Sequence, residues 1–252
     1  MRLFYHNYAD IATLTEGTQN PYFPVENLQD VDKDKVYKDL GTTTSWSVVF
    51  DCLTAVSVTS CILFNHNLTG TETDIKVEGN ATNSWGSPSV SETLTYAADT
   101  ILKNFTGGSY RYWRITFTKA NVSDIRSVGR VYLGPSLLAR SPDRKGLSRG
   151  ISDNAIITTT DDGKVFASAR NIIRNWTIPW SNLLASSGAT DLFTIVSDLG
   201  AHTPLFFQID TASPLDELIY AYIASKSYEQ VMNGAASGIY YWGAGLGLRE
   251  AI

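Results

Sequence analysis

Arg111-Tyr112-Trp113-Arg114-Ile115-Thr116-Phe117-Thr118 is the stretch that decides the fold class. Trp113, Ile115 and Phe117 alternate with Tyr112, Arg114, Thr116 and Thr118, and a period of two belongs to a strand with one face in a core and the other in solvent. Outward from it, residues 46–51, 55–64, 74–78 and 127–133 repeat the alternation. Turn-forming clusters separate these runs at Asn67-Leu68-Thr69-Gly70, Gly79-Asn80 and Gly107-Gly108. Short strands at this spacing predict a jelly-roll β-sandwich.

Gly134-Pro135 closes this region, and residues 136–150 read as a linker in which Arg140, Asp143, Arg144, Lys145 and Arg149 stand among Ser, Pro and Gly. Such a charged run is either a solvated face or a dock for an acidic neighbour. Strand signals resume at residues 155–160, the turn residues Asp161-Asp162-Gly163 follow, and residues 164–169 complete a predicted hairpin. In residues 174–180, Trp176, Ile178 and Trp180 fall on one face of a strand. From Ser181, the residues Leu183, Leu184, Leu192, Phe193, Val196 and Leu199 approach helical spacing, and Gly200 sits where a helix would stop. Residues 205–209 read as a strand. Residues 215–228 fit both periods and are taken as a strand for their β-forming side chains, and residues 239–248 as a glycine-rich last strand. The expected fold is mainly β: a sandwich over residues 23–135, then a β-rich module over residues 151–252 with one or two helices.

Of 252 residues, 43 % are hydrophobic and 18 % charged, a β-rich balance with few charges. Twenty basic against 25 acidic residues give a net charge of −5, so no electrostatic footprint for nucleic acid is present. Met1 to Asp10 lacks the apolar core of a signal peptide, and no apolar run approaches the roughly 20 residues of a membrane span, so synthesis in a reducing cytoplasm without membrane insertion is expected. Asn-X-Ser/Thr triplets beginning at Asn67, Asn80, Asn104, Asn121 and Asn175 are what a chain rich in these residues produces by chance. Cys52 and Cys61 read as two buried thiols, with a bridge between them as the alternative.

No catalytic constellation is visible. His6, His66 and His202 are scattered, no Cys-X-X-Cys or His-X-X-X-His spacing occurs, and both the hydrolase elbow and the phosphate-cradling loop are missing. Gly243-Ala244-Gly245-Leu246-Gly247 lacks the spacing of a dinucleotide turn and the room for a following helix. Adjacent acids such as Asp161-Asp162 and Asp216-Glu217 are not opposed across a cleft, as glycoside hydrolysis requires. The expectation is a protein without catalytic residues, metal or cofactor.

The remaining chemistry is that of sugar recognition: Trp46, Trp85 and Trp113 with Asn65, His66 and Asn67. Aromatic faces stack on the C–H faces of a pyranose, and amides bond its hydroxyls. Trp46 and Trp113 lie on alternating strands and read first as core. Asn65-His66-Asn67 also reads as a turn held by side-chain to backbone bonds. Trp85, between Asn83-Ser84 and Gly86-Ser87-Pro88, is the better exposed candidate, so the glycan-contact set is Trp85, Asn65, His66 and Asn67.

Phe23-Pro24-Val25-Glu26-Asn27-Leu28-Gln29-Asp30 followed by Ser45-Trp46-Ser47-Val48-Val49-Phe50-Asp51 resembles the opening of discoidin-type, galactose-binding-like domains. Leu63-Phe64-Asn65-His66-Asn67-Leu68-Thr69, Tyr112-Trp113-Arg114-Ile115 and Gly129-Arg130-Val131-Tyr132-Leu133-Gly134 are similar to the variant found in tailed-bacteriophage tail proteins, with Asn65 in place of that variant's Gly. The second half looks similar to the modules of tail tubes and distal-tail rings. The resemblance implies a structural virion component at the tail tip, a homo-oligomeric ring touching tube, hub or fibre proteins, with residues 1–22 belonging to the second module. The alternative is a glycan-binding adhesion module that binds a host-surface glycan.

Overall fold

The computed structural model describes residues 1–17, 20–70, 74–138, 147–184, 189–209, 218–231 and 241–251. In chain order the strands are β1 (Arg2–Phe4), β2 (Thr13–Glu16), β3 (Tyr37–Lys38), β4 (Ser45–His66), β5 (Asp74–Asn80), β6 (Val90–Thr93), β7 (Thr100–Thr118), β8 (Ser127–Gly134), β9 (Ser136–Leu138), β10 (Ser148–Asp153), β11 (Ile156–Thr159), β12 (Val165–Ser168) and β13 (Ile172–Leu184). Helix α1 (Ala189–Leu199) follows, then β14 (Leu205–Gln208), β15 (Leu218–Val231) and β16 (Tyr241–Glu250). Two units separate: Phe4–Leu137 forms the first, and Met1–Leu3 with Leu138–Ala212 and Glu217–Ile252 the second. The chain is mainly β, as its alternation predicts.

In the first unit the order is β3-β8-β4-β7-β5-β6, with β2 also on β4. One edge of β4 follows β7 along its length, while its other edge pairs first with β2 and then with β8. Residues 46–51 and 55–64, read as separate strands, are one strand interrupted by a register shift between Asp51 and Val56. There Leu53 takes φ +64° and donates its N–H to the Asp51 carboxylate at 2.9 Å, a local bond that stands in for the lost ladder. Trp113, Ile115 and Phe117 are buried with Val48, Phe50, Ile75 and Val77 in one core. Opposite Trp113 stands Gly79, where a Cβ would come within 2.8 Å of the indole carbons, so the glycine makes room for the ring.

Residues 1–22 do not go to the second module as a block; only Met1–Leu3 does. From Phe4 on, specific bonds hold the segment to the sandwich. Asn7 donates to the Val131 carbonyl at 2.8 Å and accepts from the Leu133 N–H at 2.9 Å, and buried Arg130 bonds Asp10 at 2.7 Å. Gln29 donates to the carbonyls of Ala9 and Ala12 at 2.8 Å. Of the expected linker 136–150, Ser136–Leu138 and Ser148–Asp153 are strand, and the basic stretch at residues 140–145 lies outside the described residues.

The second unit's seven-stranded sheet runs β10-β13-β16-β15-β14-β1-β9, and β11-β12 is a separate hairpin. Trp176, Ile178 and Trp180 are buried from one face of β13, and all four residues of β14 are buried. The helix is shorter than the apolar spacing from Ser181 predicts, because Leu183 and Leu184 pair with Trp242 and Tyr241 as strand. Leu192, Ile195, Val196 and Leu199 form its buried stripe, and Gly200 at φ +62° ends it as expected. Residues 218–231 are strand. Cys52 and Cys61 are both free and buried, and burial pushes the Cys52 thiol up to about 12. Among the described residues no helix is long and apolar enough to cross a membrane.

The contact between Trp113 and Gly79 gives a direct test of the packing. Gly79→Ala should cost about 1–3 kcal/mol by overpacking, read by urea unfolding, and clearly less in a Trp113→Phe background. An equal penalty in both backgrounds would show that the indole is not what the glycine accommodates.

Candidate functional site

A cleft of about 330 Å³ opens in the first unit where the segment from β2 to β4 passes the end of β7. Its walls come from Glu16 on β2, Tyr37 on β3, Asp39 and Leu40 after it, and Trp46 near the start of β4. Thr42, Thr43, Ser45 and Ser47 complete the lining, with the Thr43 hydroxyl donating to the Ser45 carbonyl at 2.8 Å. Pairing explains the arrangement. Glu16 lies opposite Val48, so its side chain shares a face with Val48 and, diagonally, with Trp46. Trp46 lies opposite Phe117, and the two rings stack at 4.8 Å and 11°.

Below the cleft is a buried ion pair. Lys119 Nζ, fully buried, donates to Asp39 Oδ2 at 2.6 Å and to the Asp124 carbonyl at 2.6 Å, and lies 5.3 Å from the Trp46 ring centroid. Asp39 also accepts from the backbone N–H groups of Arg126 at 2.6 Å and Gly41 at 3.1 Å. Its carboxylate is therefore saturated, and it acts as a tie rather than a ligand group.

Glu16 and Trp46 differ from Asp39. Neither Glu16 oxygen closes a hydrogen bond of normal geometry among the described residues, and the buried Trp46 indole N–H has no acceptor there. Burial pushes the Glu16 carboxyl above its ordinary range; the neighbouring Tyr37 hydroxyl pulls the other way, and the Glu26 and Asp39 carboxylates add to the rise. The Tyr37 hydroxyl stands against the Glu16 carboxyl, and both Glu16 oxygens and the Trp46 indole nitrogen are shut off from solvent.

The residues singled out from sequence are placed apart. Asn65, at φ +53°, donates to the Lys33 carbonyl at 2.8 Å. Asn67 accepts from the Ser127 N–H at 2.6 Å and donates to the Ile125 carbonyl at 3.1 Å. These amides bind backbone, which is the turn-building role. His66 faces Tyr96 with ring centroids 6.4 Å apart. Trp85 stands elsewhere: its indole donates to Asn83 at 2.8 Å, and the Arg114 guanidinium lies 4.5 Å from its ring centroid while bonding Glu78 at 2.7 Å. Its loop leaves β5 at Asn80, whereas Asn67 is tied to Ile125 and Ser127 at the start of β8. The partners of Trp85 are Asn83 and Arg114, and those of Asn65 and Asn67 are backbone groups of other segments. Trp113 is fully buried, and Trp46, read first as core, is half-buried in the cleft wall. Glu16 and Tyr37 were not singled out from sequence; the only local signal was the hydroxyl-rich run Gly41-Thr42-Thr43-Thr44-Ser45 leading into Trp46. Among the described residues no group of three or more His, Cys, Asp or Glu converges as a metal site would require.

No protein-family model matches the chain, and no curated protein matches it. Among solved structures it is similar to chitosan-binding module 1 of a chitosanase/glucanase from Paenibacillus sp. IK-5, at 16 % identity over 51 % of this chain and 98 % of that one, with a TM-score of 0.42. It is similar to the lectin domain of Lectinolysin complexed with Lewis B antigen, at 14 % identity over 52 % and 96 %, with a TM-score of 0.43. A Streptococcus pneumoniae fucose binding module is similar at 13 % identity over 52 % and 95 %, with a TM-score of 0.42. These structural neighbours are carbohydrate-binding modules, and at such scores the likeness assigns no ligand and no residue role to this chain.

Removing one partner of a buried ion pair strands the other charge. Lys119→Met should therefore destabilise the protein by about 3–5 kcal/mol in chemical denaturation. Arg111→Met, which breaks the solvent-facing bond to Asp51 at 2.7 Å, should move the midpoint far less. Equal shifts for the two variants would contradict the role given to Lys119.

Proposed function

We propose that the first unit is a carbohydrate-binding module, and that a glycan occupies the cleft at Trp46. The observation that carries this reading is a cleft of about 330 Å³ in which the half-buried Trp46 stands beside Glu16, Tyr37 and four hydroxyl-bearing residues, Thr42, Thr43, Ser45 and Ser47. Sugar hydroxyls suit a lining rich in hydroxyl-bearing residues, and the C–H face of a pyranose suits an aromatic wall. The unit binds without turnover: of the two carboxylates in the cleft, Asp39 is held by Lys119 and two N–H groups, so no free acid and base oppose each other.

A second reading, a structural subunit of a virion tail that meets tube, hub or fibre proteins, is supported by one feature of the second unit. Its β11-β12 hairpin exposes large apolar side chains, as a contact element does.

Titration calorimetry against chitosan fragments, fucose and the Lewis B antigen tests the first reading. Binding of at least one is expected, with Trp46→Ala weakening it about tenfold or more, a loss of at least about 1.4 kcal/mol, and Trp85→Ala leaving it unchanged. Because burial holds the Glu16 carboxyl above its ordinary range, binding should weaken on acidification at a higher pH than an unperturbed glutamate would give. Glu16→Gln should remove that dependence. Loss of binding in Trp85→Ala with Trp46→Ala intact would move the site, and no binding to any carbohydrate would overturn the reading.

A further inference from the structure

The β11-β12 hairpin is a fully exposed part of the second unit. Ile156 pairs with Ser168 and Thr159 with Val165, and every residue of both strands is exposed. A two-stranded hairpin alone is marginally stable in water. Its alternation is also unusual: Ile156 and Phe166 share one face, and Ile157 and Val165 share the other. Neither face is the polar one. With Ile151 and Ile172 at the hairpin's root, these side chains are between 45 and 71 % exposed. Together they offer on the order of 600 Å² of surface, close to the roughly 800 Å² that each partner contributes to a standard interface.

Charge says what covers them. At the tip, Asp161 has no ion pair or hydrogen bond among the described residues, and Asp162 is held by Lys164 at 2.8 Å, so the tip carries a net negative charge. At the root, an open cleft is lined by Asn154, Ala155, Arg170, Asn171 and Arg249. Arg170 and Arg249 are exposed and have no carboxylate partner among the described residues; the nearby Asp153 is engaged with the Ala155 N–H at 2.8 Å. Acid tip and basic root thus lie at opposite ends of one apolar arm, an arrangement that complements a second copy laid antiparallel beside it, which covers the apolar side chains as well.

We infer that the hairpin is an assembly arm that docks onto a second copy of this chain, its Asp161 tip meeting the Arg170–Arg249 cleft at the root of the other copy's hairpin. Laid antiparallel, each tip meets the other copy's root, so the contact is isologous and closes on a symmetric pair. The inference deepens the assembly reading by naming the partner and the surface, and needs no glycan.

The test is the mass of the full chain in solution, by light scattering over a concentration series. The wild-type chain should associate. Ile157→Ser with Phe166→Ser should weaken association about tenfold or more, a loss of at least about 1.4 kcal/mol, with unchanged circular dichroism because both side chains lie on the surface. Asp161→Arg and Arg170→Asp should each weaken it, and a chain carrying both should recover it. Assembly that is indifferent to all these changes would overturn the hairpin contact while leaving the assembly reading in place. A monomer at every concentration would overturn both.

Discussion

A lysine ammonium with no exposure to water sits against the Asp39 carboxylate, and much of the first unit is arranged around that pair. A buried charge is tolerated when it is paired and hydrogen-bonded, and here the ammonium donates to two oxygens while the carboxylate accepts from three donors. Lys119 follows the last residue of β7, Asp39 precedes β4, and Asp124 and Arg126 supply a carbonyl and an N–H from the turn before β8. Three segments distant in sequence are thereby locked into one corner. Trp46 is fixed against the same corner by Phe117 and the Lys119 ammonium. Geometry at the cleft is then a consequence of an interaction that lies beside the Trp46 ring without taking up its exposed face.

What the sequence made legible follows from what one strand knows locally. Trp113, Ile115 and Phe117 announce a buried face because alternation is a property of the strand itself. The fit of Trp113 to Gly79 is not legible, since it needs the register between β5 and β7. Leu53 hid the continuity of β4: a residue at φ +64° breaks the period of two without ending the strand. Leu183 and Leu184 suggested helix because an apolar pair fits either period, and pairing with β16 decided for strand. Gly200, by contrast, marked the helix end from its own conformational freedom.

The candidate site shows the same division. Asn65 and Asn67 looked like ligand groups because amides are, yet their partners are backbone groups of Lys33, Ile125 and Ser127, far away in sequence. Glu16 was invisible because nothing near it in the chain is aromatic; only the pairing of β2 with β4 brings it beside Trp46. Trp46 itself was weighed as core from its alternation, and its stacking on Phe117 bears out part of that reading while the cleft takes the rest.

The central claim is that a sugar meets Trp46, and the six tryptophan indole N–H groups report on it separately. In a nitrogen-15 correlation spectrum titrated with a bound oligosaccharide, the Trp46 indole resonance should move progressively, while those of buried Trp113 and Trp176 stay in place. A titration in which the Trp85 indole moves and Trp46 does not, or in which none moves, would contradict the account.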